Sequence, residues 1–417
     1  MWMGAVAEGE NARTCPHCGN AFPAGASQCP RCDSRLSLIL HSRETVLSLT
    51  AAIIIVLFFL TGFITRGYHQ KLDALSRQWF ATGEQRLKSG DAVAALADFR
   101  TALVYNPDDT RIQFRLAEAL AAEGRDSEAR AYLLGLLARA PSDAPINLAL
   151  ARISAGAGSE TGALRYYHGA IYGVWPQKAE KSRLNARLEL CRFLIARDDM
   201  RTADAELVAL TSEIPEEQGA PLHEQAGELF LQVGDAHHAL SEFRVALIVE
   251  RPSDASLRGA GLAAYQLGDF RAAVGYLARA QRMRKDDPEV SSALAMSRLV
   301  VSADPNLRGV SEFERRERVR DDFEHAFSRL QSCAKSRGVN LSAKQNPPSD
   351  LTALYARANA LRPQLTDRNL ARHPSQMDAA MNLMFTMEDL ATEQCGAPGG
   401  IDEALTLLGK FRPGRER

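Results

Sequence analysis

The stretch from Val46 to Ile64, VLSLTAAIIIVLFFLTGFI, is 19 residues long and carries no charge. As an α-helix it spans roughly 28 Å, close to the hydrocarbon thickness of a bilayer. Ile53 to Leu60 form an unbroken apolar run, whereas a helix lying on a soluble protein shows a polar face. Arg43 and Arg66 bracket the stretch. A removable signal peptide fits poorly. The run begins only after 45 residues and is followed by Thr65, Arg66 and Gly67 rather than a small-residue cleavage site. The expectation is one transmembrane helix, 46–64, that divides a short head from a body of about 350 residues.

Four of the seven cysteines lie in the head, as Cys15-Pro16-His17-Cys18 and, ten residues on, Cys29-Pro30-Arg31-Cys32. Two thiolates from one C-x-x-C turn bind one ion, and two such turns complete a tetrahedral set. Gly19 suits the positive-φ turn that follows a metal knuckle. The pattern resembles the short zinc ribbons at the N-termini of many bacterial membrane proteins. The resemblance covers about Thr14 to Arg35 and implies one structural Zn2+ on Cys15, Cys18, Cys29 and Cys32. A head this small has no core of its own, so metal binding supplies its folding energy. The cations Arg13, Arg31 and Arg35 are offset by acids, and Phe22 is the one aromatic near the cysteines. Nothing here points to nucleic acid. A zinc ribbon at 1–36, a juxtamembrane linker at 37–45 and a second linker at 65–75 are therefore expected.

Basic residues do not orient the span. Arg31, Arg35 and Arg43 precede it, and Arg66, Lys71 and Arg77 follow. The thiolates break the tie, because zinc-binding cysteines persist in a reducing compartment. This puts the N-terminus in the cytoplasm and the body outside a bacterial inner membrane.

From Ser76 the chain shows a period of 34 residues. Trp79, Gly83, Ala95, Phe99, Ala102 and Pro107 occupy positions 4, 8, 20, 24, 27 and 32 of the first unit. Shifts of 34 reach Ala117, Ala129, Leu133, Leu136 and Pro141, then Ala151, Ala163, Tyr167 and Ala170. The phase then slips by six residues. Ala203, Leu207, Leu210 and Pro215 mark a fourth unit with a first helix extended to around Lys178–Arg183. Gly227, Ala239, Phe243 and Ala246 mark a fifth unit, and Gly261, Ala273, Leu277 and Ala280 a sixth. Small residues at 8, 20 and 27 let two antiparallel helices approach, large ones at 4 and 24 fill the space, and proline ends the second helix. The pattern resembles the tetratricopeptide repeat. The expected fold is all-α, a right-handed superhelix of about six repeats over 76–287. Gly90-Asp91, Gly234-Asp235 and Gly268-Asp269 read as turns within repeats. Gly156, Gly158 and Gly162 fall at the same turn rather than after a strand, so they do not form a nucleotide loop.

The resemblance implies a partner groove lined by positions 2, 5, 9, 12 and 13 of each first helix. It includes Phe80, Glu84, Phe114, Glu118, Arg152, Arg192, Arg258 and Tyr265. The lysine and asparagine with which chaperone-binding members hold a C-terminal carboxylate are replaced by Phe80 and Glu84, and by Phe114 and Glu118. That clamp is missing, which leaves Arg152 and Arg192 to meet an acidic peptide.

The period fades after Asp287, and 288–417 is expected to be a helical cap, needed because the last repeat exposes an apolar face. A helix is expected from Glu312 to Cys333, with Phe313, Val319, Phe323, Phe327 and Leu330 on its apolar stripe. Asn346-Pro347-Pro348-Ser349 reads as a loop. Further helices follow from Ser375 to Cys395 and from Ile401 to Leu408. In an oxidising compartment Cys333 and Cys395 are candidates for a disulfide. Cys191 takes a small-residue core position.

Net charge is −1, with 50 basic and 51 acidic residues, which gives no whole-chain attraction to nucleic acid or anionic lipid. No H-E-x-x-H, P-loop or G-x-S-x-G is present. The expected role is a non-enzymatic, single-pass membrane scaffold that binds proteins or peptides rather than a small-molecule substrate. The alternative is a zinc- or redox-responsive regulator of an envelope assembly.

Overall fold

Between Val46 and Lys88 there is no proline, and the three glycines, Gly62, Gly67 and Gly83, stand singly, so the strong helix breakers are few. In the computed structural model the consequence is one helix, α1, running 52 residues from Ser37 to Lys88. The structure describes residues 12–23, 26–33, 37–176, 180–215, 219–341 and 349–412. The segments expected as linkers, 37–45 and 65–75, are helical. Thr65, Arg66, Tyr68, His69, Gln70 and Lys71 offer no reason to leave the helix, so the apolar run and the first helix of the first repeat form one rod. Its apolar window is uncovered by any other described residue. Phe58, Phe59 and Phe63 are each about 70% exposed or more, and among the described residues this is the one helix long and apolar enough to cross a membrane.

The chain divides into two compact units, 1–140 and 141–417. The first contains a two-stranded antiparallel hairpin, β1 (Ala12–Thr14) and β2 (Ala21–Pro23), with Arg13 opposite Phe22. It also contains α1 and the helices α2 (Ala92–Tyr105), α3 (Thr110–Ala122) and α4 (Asp126–Arg139). The second opens with the pairs α5 (Ala144–Gly156) and α6 (Glu160–Ile171), then α7 (Glu180–Ala196) and α8 (Met200–Glu213). Next come α9 (Ala220–Val233) and α10 (Ala236–Val249), then α11 (Asp254–Gln266) and α12 (Phe270–Met283). A single helix, α13 (Pro288–Ala303), packs on α12. The rest is α14 (Glu312–Ser336), α15 (Asp350–Leu361), α16 (Asp367–Arg372), α17 (Ser375–Cys395) and α18 (Ile401–Lys410).

The helix pairs are tetratricopeptide-type repeats, and their packing explains the period. Phe99, Leu133, Leu207, Phe243 and Leu277, at position 24, have no exposed surface, and Tyr167 has almost none. Each needs a small residue opposite. A β-carbon on Gly83 would stand 2.7 Å from the ring of Phe99, and one on Gly261 would stand 2.5 Å from Leu277. Phe243 is held on two sides. A β-carbon on Gly227 of α9 would meet its ring at 2.9 Å, and one on Gly259 of α11 at 2.1 Å. Cys191 fills the corresponding small-residue site on α7, where burial pushes its thiol up to about 12.

Positive-φ residues close the turns inside the repeats at Gly90, Gly124, Gly158, Asp198, Gly234 and Gly268. Asp91, Asp199, Asp235 and Asp269 then cap the next helix by accepting a backbone N–H at 3.0–3.2 Å. The fourth turn uses Asp198 where the others use glycine. Of the extended start expected around Lys178–Arg183, residues 178–179 lie outside the described residues, while Glu180–Arg183 open α7, which is 17 residues long against 12 to 14 for the other helices from α2 to α12.

The cap has its own core. Phe323, Phe327 and Leu330 of α14 pack with Leu351 and Leu354 of α15 and with Met384, Phe385 and Met387 of α17. Phe313, expected on the same stripe, is 60% exposed because α14 leaves the core at its first turn. Ser349 caps α15 at Thr352 N. The neighbouring Asn346-Pro347-Pro348 lies outside the described residues. Asp322 points inward from α14, and its Oδ2 has no hydrogen-bond partner among the described residues. Burial, reinforced by the charges of Asp321 and Asp304 against Arg318, pushes its carboxyl up to about 8.

Two outcomes follow from this packing. Gly259→Ala, which drives a methyl into the Phe243 ring, should lower unfolding stability by about 1–3 kcal/mol in thermal or denaturant melts; unchanged stability would contradict the tight approach. Asp322 stays protonated in the folded state up to about pH 8, while the unfolded chain ionises near pH 4. Its contribution is therefore present below about pH 4 and is lost as pH rises to about 8. Relative to wild type, Asp322→Asn should gain on the order of 3 kcal/mol between pH 5 and pH 8; parallel pH profiles for the two proteins would refute this.

Candidate functional site

The paired cysteines sit on two similar turns. After β1, Gly19 N donates to Cys15 O at 2.8 Å, and Gly19 has φ 71°. In the second turn Asp33 N donates to Cys29 O at 2.9 Å, and Asp33 has φ 52°. Each turn thus aims two sulfurs at one point. Cys15 Sγ lies 3.6 Å from Cys32 Sγ, and Cys18 Sγ lies 3.6 Å from Cys29 Sγ. All four sulfurs fall within 4.8 Å of one another. Tetrahedral zinc with bonds of about 2.3 Å sets its sulfurs about 3.8 Å apart, so the four cysteines fit one ion. Four protein ligands leave no open position for a reactive water. His17 is exposed and outside the set. Phe22 is 5% exposed and packs against Cys15 and Cys29, so it forms the floor of the site and is not free to stack on a base.

The residues expected to line a partner groove lie on the first helices, and most of the charged ones already have partners. In the first unit Glu84 of α1 pairs with Arg115 of α3, which also pairs with Glu118. Phe80 turns toward its own repeat, with its ring 5.8 Å from that of Phe99. Phe114 is half-buried one turn before Glu118.

In the second unit polar bridges join each first helix to the next. Arg152 of α5 forms a two-pronged pair with Glu189 of α7, at 2.7 and 2.8 Å. Arg192 of α7 donates to Gln225 of α9 at 2.7 Å. Glu224 of α9 accepts from Ser253 and Ser256, at the start of α11, at 2.6 Å each. Arg258 of α11 reaches Glu289 at 3.1 Å and Asp287 at 3.4 Å, at the start of α13. The side chain of Arg152 is 53% exposed, and pairs this open to water contribute about 0–1 kcal/mol each. They set the register of neighbouring repeats, and an acidic peptide entering this face has to displace them. Tyr265 is half-buried and meets Phe270 edge-on at 5.5 Å, within the contact between the last repeat and the cap.

Cys333 and Cys395 are joined by a disulfide, with their α-carbons 5.7 Å apart. The bond ties the last turn of α14 to the end of α17. One turn earlier Arg329 pairs with Glu388 and donates to Thr392 Oγ1 and Gly396 O at 3.1 Å each. Spacing alone did not reveal Arg329 or Glu388, because their partners lie about 60 residues away. Arg187, 3% exposed and paired with Glu206 at 2.8 Å and Glu213 at 3.1 Å, was hidden in the same way inside the fourth repeat.

Family models of the tetratricopeptide repeat match residues 86–153 and 225–288. No curated protein sequence matches the chain. Among solved structures it is similar to PilW, a type IV pilus biogenesis factor, at 18% identity, covering 52% of this chain and 98% of that one, with a TM-score of 0.40. It is similar to PilF of Pseudomonas aeruginosa at 14% identity, covering 53% and 97%, with a TM-score of 0.41. A tetratricopeptide repeat protein of Parabacteroides merdae is 15% identical, with 54% and 99% covered and a TM-score of 0.26. These likenesses concern the fold alone.

Elemental analysis of protein purified under reducing conditions should find one bound metal ion per chain, and Cys29→Ser should remove most of it. Full occupancy in that variant, or no metal in the wild type, would remove the case for a metal centre.

Proposed function

We propose that the chain is a membrane-anchored scaffold, without enzymatic activity, that presents tetratricopeptide repeats to protein or peptide partners. Helix α1 crosses the cytoplasmic membrane of a bacterium once. The head lies in the cytoplasm, where Cys15, Cys18, Cys29 and Cys32 hold a structural Zn2+. The repeats and the cap lie on the outer side, in the periplasm of a Gram-negative cell.

One observation carries the topology. Four thiols poised for a metal and a formed disulfide occupy the same chain, on either side of an apolar helix that no other described residue covers. Thiolate metal sites persist in reducing compartments and structural disulfides in oxidising ones. A membrane crossed by α1 reconciles the two. The scaffold role is supported by the two family-model matches, both to an interaction repeat. Because the rod is unbroken from the apolar run into the first repeat, that repeat is held close to the membrane surface. From Ile64 to Ser76 the helix rises about 18 Å.

Protease added to intact spheroplasts should digest the repeats and leave a protected N-terminal fragment, while lysis should expose both. A body that resists digestion until lysis would refute this topology. Crosslinking the full-length protein in cells should trap protein partners on the body.

A further inference from the structure

Where the cap closes on the sixth repeat there is a cavity of about 370 Å³, large enough for a small apolar group. Its floor is formed by Phe270, Val300, Met381, Phe385, Leu408 and Phe411. Of these, Phe270, Val300, Met381 and Phe385 are buried. The walls are fixed by packing. Phe411 meets Phe270 edge-on at 5.7 Å, and a β-carbon on Gly268 would stand 2.4 Å from the Phe411 ring. The cavity is thus built jointly by the sixth repeat and the cap, apart from the bridges along the first helices.

The mouth is cationic. Arg271, Arg308 and Arg412 line it, with Asp269 and Asp304 as the acids, a balance of three positive charges to two negative. Both acids are turned to backbone amides: Asp269 accepts from Ala272 N at 3.0 Å, and Asp304 from Asn306 N at 2.8 Å. Arg412 is held by Asn382 and lies over the Phe385 ring. Arg271 donates to the carbonyl of Arg308 at 3.5 Å. Among the described residues, neither Arg271 nor Arg308 has a carboxylate partner, and both are exposed. The Asn306 side-chain amide lines the same mouth and bonds to no described residue.

We propose that this cavity binds the C-terminal residue of a partner protein. A large apolar side chain enters the floor, and the α-carboxylate meets Arg271 and Arg308. Guanidinium groups recognise carboxylates through charge-assisted bonds, and an apolar pocket with a few placed polar groups is the usual form of a ligand site. Asn306 favours a peptide over a fatty acid, because its amide can bond to a peptide group that an acyl chain lacks. The assignment rests on the scaffold reading above and gives it a specific site.

The test uses the full-length chain in lipid nanodiscs and the peptide Gly-Ser-Gly-Ser-Leu-Phe, N-terminally labelled, as free acid and as C-terminal amide. Fluorescence anisotropy should show the acid binding at least tenfold more tightly than the amide. The double variant Arg271→Gln/Arg308→Gln, still melting like the wild type, should erase that difference. Leu408→Trp, which fills the cavity, should weaken the acid at least tenfold. Equal binding of acid and amide, or an acid preference that survives the double variant, overturns the proposal. So does binding that appears only after residues 413–417 are deleted, which would give the cavity to the chain's own tail. The scaffold reading is tested separately. Partners crosslinked equally by wild type and double variant would sink the cavity and leave the scaffold, whereas a body that captures no partner would sink the scaffold.

Discussion

How closely two helices approach depends on the smallest residues between them, and in this protein that distance controls the repeat architecture. Phe243 shows the constraint most sharply. Its ring is fully buried, with glycines of two successive first helices where any β-carbon would collide with it. One side chain therefore locks its own helix pair and the next pair. Gly83 with Phe99 and Gly261 with Leu277 repeat the contact within a single helix pair. Repeat proteins gain stability from each unit and from its interface with the next. A ring shared between units makes those two contributions one.

Polar bridges along the first helices add direction to this packing. Each joins residues about 30 to 37 positions apart, so each links neighbouring repeats. Such pairs contribute little stability when they face water, but each is satisfied only in one register. Their presence also changes how the protein meets a partner. The arginines that a peptide would look for on this face are already engaged, whereas Arg271 and Arg308, where the sixth repeat meets the cap, have no carboxylate partner among the described residues. The cap is more than a cover for the last apolar face. It brings its own core, the disulfide and a cavity. In the chain-entropy model a bridge across a separation of 62 residues stabilises by roughly 4 kcal/mol.

Much of this protein was legible in its sequence because the constraints responsible are local or strictly periodic. An uncharged run of bilayer length can only be a helix that water does not favour. Two C-x-x-C turns bring four sulfurs together through backbone geometry that spans a few residues. A 34-residue spacing of small and large side chains leaves little choice but stacked helix pairs. The cap helices at Glu312, Ser375 and Ile401 were marked by ordinary start and stop residues.

Tertiary structure decided what depends on distant partners. Asp198 takes the left-handed turn that glycine takes in five other repeats, and nothing in its local sequence distinguishes it from Asp199. Phe313 shares a stripe with Phe323 yet faces water, because no described helix covers it at the first turn of α14. Asp322 follows several charged residues in the sequence, and only the packing around α14 buries it. The partners of Arg152, Arg192 and Arg258 lie a repeat away, and the walls of the cap cavity come from segments more than 100 residues apart. Spacing can report which residues share a helix face, but the environment of a charge is set by whatever the rest of the chain brings against it.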